Sequence, residues 1–177
     1  MIKFIDDYLT VNKYSRPGIK LTDVKGIVVH WVGNHSTSAS FNRNYFELRK
    51  KGHYGYGSTQ LIIGLEGEIV KCMPLNELAY HVGAKQYKEG IQEKLGKYPN
   101  AYTIGIECTH IDNDGTMTEK TTIALRNLCF YLCKQHNLTS DDLYLHYDVT
   151  GKECHRYYVN NPEKWAEFKN DIMIAML

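Results

Sequence analysis

Near its C-terminus the chain reads Leu145-His146-Tyr147-Asp148-Val149-Thr150-Gly151-Lys152-Glu153-Cys154, a short apolar segment that ends on a histidine and returns a cysteine eight positions later. That spacing can bring an imidazole and a thiolate to one metal ion. A second histidine, His30, interrupts the apolar run Ile27-Val28-Val29-His30-Trp31-Val32, where a polar ring needs a partner because burying it unpaired is costly. Two histidines and a cysteine suit zinc. Three protein ligands leave the fourth tetrahedral position for water, the arrangement of a catalytic rather than a structural site. Glu107 lies in an alternating segment with Tyr102, Ile104, Ile106 and Cys108 on one face and Thr103, Gly105, Glu107 and Thr109 on the other, so its carboxylate points away from the apolar side. A zinc ion polarises a carbonyl and acidifies its water, and a nearby carboxylate carries that water's proton to a leaving amine. The chemistry that results is amide hydrolysis. Lys152 is placed to stabilise the developing oxyanion, or is an ordinary turn lysine. Singly, His30 and His146 read as hydrogen-bonded core histidines; together with Cys154 and Glu107 they read as a site.

The elements that must position these groups follow from hydrophobic periodicity. Gly26 to Val32 is nearly continuous in apolar residues, as in an interior strand covered on both faces. Phe41, Tyr45 and Leu48 recur at helical spacing after Ser38, giving an amphipathic helix that ends before Gly52. Thr59 to Ile63 and Glu68 to Cys72 form a hairpin about Gly64-Leu65-Glu66-Gly67. Pro74 to Pro99 carries short helical turns at most. A helix runs from about Thr118 to Gln135 with Ile123, Leu128, Tyr131 and Leu132 inward. Leu143 to Tyr147 is a strand with His146 and Asp148 on its non-apolar face, and Asp148 either orients His146 or caps the following turn. Asn161 and Pro162 open a closing helix that buries Trp165, Phe168 and Ile172. The fold class expected is α/β, with a central mixed sheet packed by helices and the zinc site at strand ends.

The chain has 177 residues, 43% of them hydrophobic, and a formal charge of +1, which is enough for one domain, residues 1–177, with a sizeable core. The near-zero charge supplies no field for a phosphate-rich partner, so nucleic acid is not expected. Met1 to Asp7 lacks a signal-peptide apolar region, and no stretch is long enough to span a membrane. Five cysteines with no CxxC argue for a reducing compartment rather than a disulfide framework. Cys129 and Cys133 read as small core residues, and His35, His53, His110 and His136 as surface or loop histidines.

Across nearly its whole length the chain resembles the type 2 family of zinc-dependent N-acetylmuramoyl-L-alanine amidases, the family of phage endolysin and bacterial autolysin catalytic domains, related to peptidoglycan recognition proteins. The resemblance is carried by Tyr14-Ser15-Arg16-Pro17-Gly18, Gly26-Ile27-Val28-Val29-His30-Trp31, Asn42-Arg43-Asn44-Tyr45-Phe46, Leu75 to Gly83, Ile104-Gly105-Ile106-Glu107, and His146 to Cys154. It implies that His30, His146 and Cys154 hold Zn2+, that Glu107 is the catalytic carboxylate, that Lys152 assists the transition state and that His81 lines the substrate groove. It also implies peptidoglycan as the partner, cut between N-acetylmuramic acid and L-alanine. A monomer made in a host cytoplasm and acting on the wall after lysis would fit, with no separate wall-binding domain visible. Two places depart from the family pattern: His155 follows the cysteine where many relatives have proline, and Thr59-Gln60-Leu61 stands where relatives often carry His or Tyr. His155 is expected at the rim or in support of the site. Two rival functions are a non-catalytic peptidoglycan-binding module of the same fold and a thiol hydrolase using Cys108 or Cys154.

Overall fold

The structure is a computed structural model that describes residues 2–176; Met1 and Leu177, the end residues of the expected domain, lie outside the described residues. Six strands form one mixed sheet in the order β1-β4-β3-β5-β2-β6: β1 (Phe4–Asp6), β2 (Gly26–Trp31), β3 (Leu61–Ile63), β4 (Ile69–Lys71), β5 (Thr103–Cys108) and β6 (Leu143–Leu145). Among the strands of the described residues only the β3/β4 hairpin is antiparallel; β1/β4, β3/β5, β5/β2 and β2/β6 are all parallel. β2 is therefore an interior parallel strand, which explains its unbroken apolar sequence. Strand β1 was not anticipated from the sequence, being three residues long at the chain start.

The helices are α1 (Ala39–Leu48), α2 (Ile91–Leu95), α3 (Glu119–His136), α4 (His146–Thr150), α5 (Arg156–Asn160) and α6 (Pro162–Met176). One sheet face is sealed: Ile27, Val29, Ile104 and Ile106 pack with Leu125, Leu128 and Leu132 of α3 and with Trp165, Phe168 and Ile172 of α6. The other face is divided. Ile62 and Val70 pack under α1 through Ala39 and Phe46, whereas Val28 and Tyr144 pack with Ile91, Leu95 and Val149. The two clusters leave an opening over the ends of β2 and β5, where ligand sites of parallel sheets ordinarily form.

Three sequence expectations are corrected. In α1 the face predicted to be inward is outward, with Phe41, Tyr45 and Leu48 at 57%, 41% and 45% exposure. Polar anchors set that rotation: Arg43 donates to the Asp7 and Tyr8 carbonyls, and Glu47 accepts from the backbone and hydroxyl of Thr10. Ser38 caps the helix as expected, accepting from Phe41 N–H. In α3, Leu128 and Leu132 are buried, yet Ile123 and Tyr131 are 46% and 37% exposed, and Thr121, Leu125, Cys129 and Cys133 complete the inner stripe. The Thr121 hydroxyl donates to Gly64 O and that of Thr118 to Leu65 O, which tie the first turn to the hairpin. Finally, the last strand stops at Leu145. Asp148 accepts the Leu145 N–H at 2.8 Å, starting a helix at His146, so Asp148 is a cap and His146 faces the opening as the first helical residue.

Candidate functional site

His30 and Glu107 are register partners on neighbouring strands β2 and β5, and both side chains rise on the divided face. His146 enters from the start of α4. Cys154 arrives at the end of the turn after α4, where Gly151 takes the left-handed conformation at φ 82 and Tyr147 N–H donates to Cys154 O at 2.8 Å. The result brings three donors together: His30 Nδ1 is 3.1 Å from His146 Nδ1 and 3.8 Å from Cys154 Sγ, and the three ligand atoms all lie within 4.8 Å of one another. All three residues are buried. Burial holds the His30 imidazole well below its ordinary pKa, pushes His146 down to about 4 and raises the Cys154 thiol to about 12. Converging neutral nitrogens and a thiol that loses its proton on binding are the donor set of a zinc ion, so the residues fit that metal.

Glu107 borders the same cavity, of about 1080 Å3, as do Lys152, Trp31 and Arg49. Its Oε2 is sealed from solvent and has no hydrogen-bond partner. Burial pushes the carboxyl up to about 8, and the Lys152 ammonium pulls it back down. Lys152 itself is exposed, on the turn that its carbonyl closes by accepting Cys154 N–H at 2.7 Å. Cys108 instead belongs to the sealed core, its thiol held well above the ordinary range by burial. A thiol that stays protonated is a poor nucleophile, which counts against a cysteine hydrolase.

His81 stands on the inner wall of this cavity, and its ring is committed inward. Its Nδ1 is 3.0 Å from His30 Nε2, and its Nε2 is 3.1 Å from Thr103 Oγ1 and 3.4 Å from Thr103 O. Neither nitrogen is left for a substrate. Asn100 Oδ1 accepts the backbone N–H of both His81 and Val82. Thr103, Asn100 and Gly105 were not singled out by the sequence; a Cβ at Gly105 would sit 2.7 Å from His81 Cγ, and a lone glycine within a strand was the available signal. Gln60, at the departure from the family pattern, is an internal strut: it donates to Glu77 O and accepts Gly105 N–H. His155 is not at a rim; it is fully buried, packed against Tyr158 and Trp31, with neither ring nitrogen partnered. His110 sits in a loop as expected but is buried, its ring nitrogens each 2.6 Å from a carbonyl oxygen.

The family model described as N-acetylmuramoyl-L-alanine amidase matches residues 20–157. The chain belongs to that amidase family. The matched stretch runs through β2 to α4 and contains His30, His81, Glu107, His146, Lys152 and Cys154. The chain is 32% identical to the N-acetylmuramoyl-L-alanine amidase BlyA of Bacillus subtilis (strain 168), over 99% of this chain and 48% of that protein. It is 33% identical to a probable N-acetylmuramoyl-L-alanine amidase of Bacillus licheniformis, over 97% of this chain and 48% of the relative. It thus spans about half the length of these amidases. Its fold matches a mutant endolysin from Bacillus subtilis with a TM-score of 0.74 at 26% identity, covering 97% of this chain and 99% of the other.

Proposed function

We propose that this chain is a zinc-dependent hydrolase of the amide bond between the lactyl group of N-acetylmuramic acid and the L-alanine that begins the stem peptide of peptidoglycan. The observation that carries the reading is the juxtaposition of Glu107, in register with His30, with three convergent metal donors at the floor of one open cavity. His30, His146 and Cys154 would hold the metal. When bound, zinc acts as a Lewis acid toward the amide carbonyl and makes water more acidic. Glu107 takes a proton from the attacking water and delivers it to the departing nitrogen; the water oxygen bonds to the carbonyl carbon as the C–N bond breaks. A base must be ionised to begin this cycle, and the nearby Lys152 ammonium favours the ionised carboxylate. In this reading the same ammonium stabilises the negative charge that develops on the carbonyl oxygen. His81 supports His30 from behind.

The unit acts on the cell wall as a monomer in this reading, and among the described residues no helix is long and apolar enough to cross a membrane. The test is digestion of purified peptidoglycan with mass analysis of the products, before and after chelation and after zinc is returned. Free stem peptides beginning at L-alanine, lost on chelation and restored by zinc, support the proposal. Release of nothing under any condition would leave a wall-binding module, and chelator-resistant release would exclude the metal.

A further inference from the structure

A ligand imidazole binds through one nitrogen only if its proton sits on the other, so the tautomer of His30 matters. The hydrogen-bond chain behind it determines that tautomer. Thr103 Oγ1 is 2.8 Å from Pro99 O, a group that can only accept, so the threonine proton is spent there. Thr103 therefore offers His81 Nε2 nothing but acceptors, the hydroxyl oxygen at 3.1 Å and its own carbonyl at 3.4 Å. His81 Nε2 must carry the proton. In a neutral imidazole with its proton on Nε2, Nδ1 is a bare acceptor. That atom lies 3.0 Å from His30 Nε2, which must donate. His30 Nδ1 is left unprotonated, and it is the nitrogen that faces His146 and Cys154.

We infer that His81 is the positioning residue of the metal site: through a one-way relay from His30 to His81 to Thr103 to Pro99 it fixes His30 as the Nε2–H tautomer and aims Nδ1 at the metal. The geometry of the relay stands by itself, and its consequence for affinity rests on the zinc reading proposed above. The ring of His81 is held in place to do this. Asn100 fixes its backbone, and Gly105 leaves the room that a side chain would fill. A hydrogen-bonded partner of this kind orients the ligand and raises its basicity.

The test combines long-range proton–nitrogen correlation spectra of 15N-histidine protein with zinc affinity measured by competition against a chromophoric chelator. In the metal-free wild type, His30 and His81 are both expected as Nε2–H tautomers. His81→Leu should lower zinc affinity by about 10–100-fold, the usual loss when such a partner is removed, and should let His30 redistribute between tautomers. His81→Gln, whose amide oxygen accepts the same proton, should regain most of the affinity. A role in packing alone predicts no tautomer change and no rescue. If His81→Leu does not fold, as judged by loss of its thermal transition, Thr103→Val serves instead and should leave His81 in mixed tautomers. A wild-type His30 protonated on Nδ1, or a folded His81→Leu that binds zinc as tightly as wild type, would overturn the inference. Failure of the wild type to bind zinc would overturn the metal reading, with the spectrum still deciding the relay.

Discussion

In its metal-free form this protein should be acid-labile in a way that the histidines around the candidate site determine. Burial pushes His81 and His155 down to about 3 and His146 to about 4, and holds His30 well below the ordinary value. A histidine with a depressed folded pKa contributes fully above the unfolded value near 6.5 and loses that contribution as pH falls toward the folded one. At pH 5 the unfolded form gains about 2 kcal/mol per such histidine, about 8 kcal/mol for the four. Glu107 acts in the opposite sense. Its carboxyl is raised to about 8, so the folded state is penalised as pH rises through the unfolded value near 4.5, and acidification from pH 7 to 5 returns about 2 kcal/mol. The net loss is about 6 kcal/mol, comparable with the whole stability of an ordinary domain. The assay is urea unfolding of chelated protein at pH 7, 6 and 5. Glu107→Gln should steepen the fall, because it removes the opposing contribution. An unfolding free energy that changes by less than about 1 kcal/mol over this range would refute the claim that the four rings are buried and neutral.

Glu107→Gln should also retain zinc affinity while kcat falls by about 10²–10⁴, the usual contribution of a proton-transfer group; unchanged turnover on purified peptidoglycan would remove Glu107 from the chemistry. Lys152→Gln should lower kcat by about 10²–10³ with little change in fold, as loss of one oxyanion-stabilising donor does. Cys154→Ser should weaken zinc binding, and undiminished stoichiometry at limiting metal would show that another residue is the third ligand. On α3, Leu128→Ala should cost about 2–5 kcal/mol in denaturant melts, whereas Ile123→Ala should stay within about 0.5 kcal/mol; equal effects would contradict the observed rotation of the helix.

Much of the scaffold was legible because local patterns and tertiary placement agree. The continuous apolar run of β2 is that of an interior parallel strand, and the alternation through β5 correctly put Glu107 opposite Ile104 and Ile106. The Ser38 cap, the hairpin about Gly64 to Gly67 and the start of α6 at Pro162 were all visible in the residues. The three donors were legible as types, and the structure brings them together. Helix rotations were not legible. Phe41 and Ile123 satisfy the helical period as well as the residues that are buried, and the choice was made by Arg43, Glu47 and Thr121 reaching partners distant in sequence. The burial of His155 and His110 was not legible for a similar reason: polarity suggests a surface, while burial depends on what Trp31 and Tyr158 pack against.

By itself, then, the sequence determined the quantities that follow from short-range sterics and solvation: where strands and helices begin, that a histidine inside β2 needs a partner, and that an imidazole, an imidazole and a thiol suit one kind of metal. The tertiary structure decided orientation. His146 could have projected from a strand, and the Asp148 cap turned it into the first residue of a helix. His81 lies 51 residues from His30, and only the parallel pairing of β2 with β5 sets Thr103 and Gly105 where they can hold the His81 ring against it. Which nitrogen of His30 carries its proton depends on that chain of contacts, because a tautomer is chosen by the donors and acceptors around a ring and these come from segments that meet only when the chain folds.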